Sequence, residues 1–161
     1  MAARRSLRSK RMTKYINIPP LWLGLAVCIA WVQSAYFRFG LSIDHAVTQL
    51  LGGLLVGGGI IVIALAGIEF YKHKTTIIPH QTASRLITSG IFKRSRNPIY
   101  LGDSLILLGL ILKWDAVLSL PLVPLFVWGI EKFFIIPEEN LLRRIFRVEF
   151  AKYLQQTRRW I

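Results

Sequence analysis

Two polar clusters interrupt an otherwise apolar chain, and their residue types suit chemistry. The first is Gly90-Ile-Phe-Lys-Arg-Ser-Arg-Asn-Pro-Ile-Tyr-Leu-Gly102, which lies between hydrophobic runs and ends inside the next one. It offers guanidinium at Arg96, amide at Asn97 and phenol at Tyr100, with the carboxyl of Asp103 just beyond. The second is Pro137-Glu138-Glu139, which follows the last apolar run. Two polar clusters at the same membrane face suggest a site rather than a scaffold. Each cluster also has a plain structural reading. Asn97 is a good N-cap and Pro98 fits a first helical turn. Pro137 suits the start of another helix, with Glu138 and Glu139 at the positive end of its dipole. The readings are compatible, because a helix N-terminus is also where backbone donors meet ligands.

Other candidates are fewer. Asp103 stands in the first turns of an apolar helix, where an ionisable group is a functional candidate; a pairing with Arg96 is the alternative. Glu69 and Glu131 fall at the ends of apolar runs and read as interfacial. His45, His73 and His80 share no ligand spacing, so no metal site is expected. There is neither a Gly-rich phosphate loop nor a Gly-x-Ser-x-Gly elbow. The single cysteine, Cys28, excludes an intrachain disulfide.

The elements that must position these groups are membrane spans. The 161 residues are 53% hydrophobic with a mean hydropathy of +0.47, above the range of ordinary soluble domains. Four spans are predicted: about 19–37, about 46–70, about 98–112 and about 116–136. The third is short for a crossing of ~20 residues. Pro121 and Pro124 are expected to kink the fourth. Lys113-Trp114-Asp115 leaves room only for a tight turn, making spans three and four an antiparallel hairpin. Gly53 and Gly57 form a small-xxx-small pair in span two, suited to close packing within the monomer or to a dimer interface. After Pro137, Leu142, Phe146, Phe150, Tyr153 and Leu154 recur at helical spacing opposite Arg143, Arg144, Arg147, Lys152 and Gln155. That pattern predicts an amphipathic helix on the interface or packed over the 71–97 loop.

Charge orients this arrangement. The chain carries a net charge of +13, which in a soluble protein would suggest nucleic acid. Here the cations flank apolar spans, so membrane topology and anionic lipid headgroups account for them, and no nucleic-acid partner is expected. Of the 21 lysines and arginines, only Arg38 and Lys113 fall on the face opposite the N-terminal arm, the 71–97 loop and the C-terminus. The positive-inside rule therefore places both termini and that loop in the cytoplasm. The fold class expected is an all-α, polytopic integral membrane protein: about four transmembrane helices plus a C-terminal amphipathic interfacial helix. It forms one domain over 1–161, with a basic cytoplasmic arm over 1–15.

Leu86-Ile-Thr-Ser-Gly-Ile-Phe92, Arg96-Asn-Pro-Ile-Tyr-Leu-Gly102, Glu138-Glu139-x-x-Leu142-x-x-x-Phe146, Tyr153 and Arg159-Trp160-Ile161 together resemble the isoprenylcysteine carboxyl methyltransferase family. The likeness is to its small bacterial branch within the wider phospholipid methyltransferase group, and it covers roughly 86–161. It implies a membrane methyltransferase, in the bacterial inner membrane, that uses S-adenosylmethionine and a lipophilic or lipid-tailed substrate entering from the bilayer. The cofactor would lie between the 71–97 loop and the helix over 137–161. Carried over by position, Leu86 and Ile87 line the cofactor and Phe92 supplies an aromatic. Asn97, Pro98, Ile99 and Tyr100 form the family's Asn-Pro-x-Tyr element. Glu138 contacts the cofactor, with Glu139 beside it. The resemblance leaves the oligomeric state, monomer or homodimer, open.

The departures concern the acceptor. Eukaryotic members have His where this chain has Asn97. They also have an arginine, attributed to substrate carboxylate recognition, where this chain has Phe134. Arg147 stands where the family usually has Gly, and Phe150 where it has Tyr. Methyl transfer from a sulfonium is dominated by positioning. A carboxylate acceptor is already ionised, whereas an amine or thiol must lose a proton, and no residue is an obvious base. The nominal acceptor is thus an isoprenylcysteine-type carboxylate. Phospholipid amine N-methylation and thiol S-methylation are the enzymatic alternatives, and a catalytically silent membrane scaffold is the non-enzymatic one.

Overall fold

The computed structural model describes residues 18–37, 39–73 and 85–161. The expected arm over 1–15 and the 74–84 part of the expected cofactor loop lie outside the described residues. Every regular element described is helical. Helix α1 spans Pro19–Tyr36, opening on two prolines that need no intrahelical donor there. Helix α2 spans Ala46–Lys72, begun by a capping box between His45 and Thr48. A 3₁₀ turn at Gly90–Lys93 leads to α3, Pro98–Lys113, and a second at Val117–Ser119 leads to α4, Leu122–Ile130. A π-helical stretch, Glu131–Ile135, joins α4 to α5, Ile136–Gln156.

Glycines set the approach of α2 to α3. A Cβ on Gly59 would lie 2.6 Å from the carbonyl oxygen of Gly102, and one on Gly52 would lie 2.8 Å from that of Gly109. The two pairs run antiparallel and are seven residues apart on each helix, so α2 and α3 touch backbone to backbone over two turns. This is packing within the monomer, but through Gly52 and Gly59. A Cβ on Gly53 or Gly57 would meet nothing within 4 Å.

The core lies on the other side of α3. Tyr100, Leu107 and Ile111 pack with Ala26 and Ala30 of α1 and with Phe126, Ile130, Phe134 and Ile135 of the α4–π–α5 rod. Between α3 and α4, Asp115 adopts a positive φ of 53° and its carboxylate accepts the Ile43 N–H at 2.8 Å, pinning the α1–α2 connection to this turn.

Among the described residues, two helices are long and apolar enough to cross a membrane: α2, and the continuous helix over Val117–Gln156. The outer surface of α2 is apolar and exposed, including Leu50, Leu54, Ile60, Ile61 and Leu65, as a lipid-facing helix requires. Helices α1 and α3 have 18 and 16 residues. At 1.5 Å per residue α3 reaches only about 24 Å, short of a ~30 Å hydrocarbon core. Length and composition thus mark two clear spans among the described helices.

The last helix differs from its sequence reading in two ways. Pro121 immediately precedes α4 and Pro124 sits in its first turn, where proline is tolerated, so neither kinks it. Nor does Pro137 begin a new helix: the backbone stays right-handed helical from Ile130 through Ile136. A proline at 137 removes the hydrogen bond to the Phe133 carbonyl and crowds it, and the wider π turn falls at that carbonyl. Glu138 and Glu139 therefore lie within a continuous helix, not at a dipole end. Further on, Arg147 takes φ 34° and bends α5. That is a backbone conformation suited to the glycine of the resembling family. Along the helix the amphipathic pattern holds: Phe150 and Tyr153 are buried, Arg143, Arg144, Arg147 and Lys152 exposed.

Candidate active site

The start of α3 is where the loop, the rod and the C-terminal tail converge. Pro98 opens the helix, fully buried. Asn97 does not cap it with its side chain. Its amide instead donates to the Arg159 carbonyl at 3.2 Å, while its own N–H is received by Ser95 Oγ at 3.2 Å. The Arg96 backbone N–H donates to the Arg158 carbonyl, and its guanidinium to the Thr157 carbonyl at 2.7 Å and to Glu139 at 3.1 Å. Tyr153 closes the other side, its hydroxyl donating to the Phe92 carbonyl at 2.6 Å. Helix α5 is thus packed over the loop.

Glu139 is the hub of an ion-pair network. Arg159 grips it with two hydrogen bonds, at 2.8 and 3.2 Å, and also reaches Glu131, which accepts the Trp160 indole N–H as well. The hydrogen bond to Glu139, followed by the charges of Glu139 and Glu131, holds the Arg159 pKa above its ordinary value. A bidentate pair with little water around it is strong, and it fastens the tail across the loop.

Next to this network the chemistry changes. Tyr100 donates to Glu138 at 3.3 Å, joining the two clusters that the sequence separates. Among the described residues Glu138 has no arginine partner. One turn deeper along α3, on the same side as Tyr100, lies Asp103, buried and within electrostatic reach of the phenol. The pairing of Asp103 with Arg96 does not form, because Arg96 is bound to Glu139.

The remaining sequence candidates occupy another position. Ile87 and Phe92 pack with Ala66 of α2, joined at the edge by Ile99, and Phe92 meets Phe70 edge-on at 5.6 Å. Leu86 is half-buried. The structure therefore gathers Asn97, Tyr100, Glu138 and Glu139 at the start of α3, and sets Ile87, Phe92 and Ile99 into a small hydrophobic cluster against α2.

Glu69 proves more than interfacial. It is buried at the end of α2, receives hydrogen bonds from Ser89 and Lys72, and is cradled by Gly90. Gly90 has φ 56°, and a Cβ there would lie 2.5 Å from the Glu69 carboxyl carbon. The left-handed turn needs glycine, and so does the close approach. That Gly is the one signal that would have pointed to a buried group beneath the loop.

A family model for phospholipid methyltransferases matches residues 47–149. The chain belongs to the phospholipid methyltransferase family. The match takes in nearly all of α2, the loop, α3 and Glu138 and Glu139, while Tyr153 and the tail residues Thr157, Arg159 and Trp160 lie beyond it. The family falls within the isoprenylcysteine carboxyl methyltransferase-like group and implies membrane methyltransferase activity. No curated protein sequence and no solved structure matches the chain significantly.

S-adenosylmethionine, the donor that methyltransferases of this family generally use, is a sulfonium that also carries an ammonium group. The residues present fit such a group. Glu138 is bound by a neutral phenol rather than a cation. A carboxyl lacking counter-charge beside an aromatic face is the donor that a cationic ligand completes.

Proposed function

We propose that the protein transfers the methyl group of S-adenosylmethionine to a lipid-tailed acceptor at the start of α3. The observation that carries this reading is the Tyr100–Glu138 hydrogen bond inside the region matched by the family. Glu138 and the Tyr100 face hold the cofactor's cationic end. Asn97, Pro98 and Glu139 keep the loop, α3 and tail in register around it. Leu86, Ile87, Phe92 and Ile99 form the apolar side. When bound, the cofactor supplies an electrophilic methyl carbon, which an in-line nucleophile takes while the C–S electron pair stays on sulfur.

The acceptor reading favoured is an amine on a phospholipid headgroup, rather than the isoprenylcysteine-type carboxylate. Carboxylate recognition asks for a free cation. Phe134, at the position of the family's arginine, is buried against Trp22 at 5.6 Å. Lys132 stands over the Trp128 ring at 5.0 Å, and the Arg96 and Arg159 guanidiniums already hold Glu139. Among the described residues Glu138 and Asp103 have no cationic partner, and they suit an ammonium.

Labelled-methyl transfer by the purified protein in vesicles, offered an amine-headgroup phospholipid, a farnesylcysteine acid and a lipid thiol, tests both points. Labelling of the amine lipid is expected. Labelling of the acid alone returns the acceptor to the isoprenylcysteine type, and labelling of none, in protein that remains folded, returns the scaffold reading.

A further inference from the structure

Three acidic side chains are buried among the described residues: Glu69, Asp103 and Glu139. Glu69 is paired with Lys72 and Ser89, and Glu139 with Arg96 and Arg159. Asp103 has neither a hydrogen bond nor an ion pair among the described residues. It is 7% exposed, yet its oxygens are not among the fully sealed, unpartnered atoms of the described residues, which are confined to Arg96 Nε. They are therefore not fully sealed inside the protein. A buried carboxylate without a counter-charge is strongly disfavoured, so its position asks for a cation.

Its place in the fold says which cation. Tyr100, Asp103 and Leu107 succeed one another along one side of α3. Tyr100 meets Glu138 at the polar end, and Leu107, fully buried, begins the hydrophobic core. Asp103 is therefore the innermost carboxyl of the site, one turn below the residues that hold the cofactor's cationic end. A group bound there lies between that end and the apolar interior, where the head of a lipid-tailed molecule would sit.

We propose that Asp103 is a catalytic residue that binds the ammonium of the acceptor headgroup and takes its proton. The inference rests on the proposed methyl transfer and names the residue that makes an amine competent. At neutral pH a primary amine is protonated and its lone pair is blocked. One N–H proton passes to an Asp103 carboxylate oxygen, leaving neutral amine and carboxylic acid. The freed lone pair forms the N–CH₃ bond as the CH₃–S bond breaks, its electron pair remaining on sulfur. The product is a methylammonium and a neutral thioether. The Asp103 proton then leaves to solvent, and the same carboxylate can receive the product ammonium for another round. A carboxylate acceptor would have no use for this base and would be repelled by it.

The test uses the full chain in vesicles of amine-headgroup phospholipid, as native protein, Asp103→Asn and Asp103→Glu. Asp103→Asn keeps the shape and removes the charge. It is expected to lower methyl incorporation at least ~100-fold, the usual scale for losing a general base, while S-adenosylmethionine affinity by calorimetry stays within about threefold. Asp103→Glu is expected to recover part of the rate. As a check on the native protein itself, a trimethylammonium lipid should inhibit amine methylation competitively and its N-acylated counterpart should not. The proposal is overturned if Asp103→Asn methylates the amine lipid at the native rate, or loses cofactor affinity as steeply as turnover. It is also overturned if the two lipids inhibit alike. Failure of the native protein to bind S-adenosylmethionine would instead overturn the methyl-transfer reading, which separates the two failures.

Discussion

Tyr100 and Glu138 are 38 positions apart in the chain, and the phenol of one donates to the carboxylate of the other at 3.3 Å. The α3–α4 turn brings them to the same end of the molecule. The neighbouring Glu139, one residue along, does a different job: it neutralises Arg96 and Arg159. Adjacent glutamates thus divide into one that fastens the fold and one that is left for a ligand.

That division predicts different responses to one conservative change. Glu139→Gln removes the counter-charge of two guanidiniums, and breaking a buried pair from one side costs about 3 kcal/mol or more. Thermal unfolding of the ligand-free protein in detergent should show this loss for Glu139→Gln and almost none for Glu138→Gln. Equal stability of the two variants would contradict the assignment.

The glycine seam gives a second contrast. Gly59→Ala drives a Cβ into the Gly102 carbonyl and should cost about 1–3 kcal/mol, the range for overpacked contacts. Gly53→Ala meets open space and should be neutral or slightly stabilising, since alanine is the better helix former. Resistance to detergent-driven unfolding checks both; a Gly59→Ala protein as resistant as native would mean that α2 and α3 do not touch there.

Arg147 carries a positive φ of 34° in the middle of α5. Replacing it by glycine should relieve strain worth about 1 kcal/mol and raise the unfolding midpoint. A lower midpoint for Arg147→Gly would show that the bend is held by the arginine side chain and not tolerated in spite of it.

Topology follows from contacts at the same end. The end of α2 meets the loop where Glu69 receives Ser89, and the loop meets the tail where the Arg96 N–H reaches Arg158. In a Cys28→Ala background, cysteines placed at Lys72 and at Gln155 should therefore react with an impermeant reagent from one side, the cytoplasmic side by the charge distribution. Labelling from opposite sides would contradict the fold.

The helices were legible because apolar runs and their punctuation are local signals: Pro19, Ala46 and Pro98 all begin helices where the sequence places them. The failures have physical reasons. In the dense run Gly52–Gly59 several faces offer small residues, and only the partner glycines Gly102 and Gly109 decide which face is used. Pro137 looked like a helix start because proline usually is one; the π turn that absorbs it has no sequence signature. The Arg96–Glu139–Arg159 network links residues 43 and 20 positions apart, with no periodicity to announce it. Glu138 and Tyr100 were found through family resemblance, and their contact only through the fold. Asp103 was visible as an acid in an apolar helix, but its lack of a partner depended on where Arg96 turned.

The central claim is that Tyr100 and Glu138 form a binding site for the methyl donor. Calorimetric titration of S-adenosylmethionine into native protein, Glu138→Gln and Tyr100→Phe tests it most directly. Native protein is expected to bind. Glu138→Gln should bind at least ~10-fold more weakly, the scale of one lost charged contact, and Tyr100→Phe should fall between the two. Native affinity in both variants would contradict the claim and leave the Tyr100–Glu138 contact as a structural tie between α3 and α5.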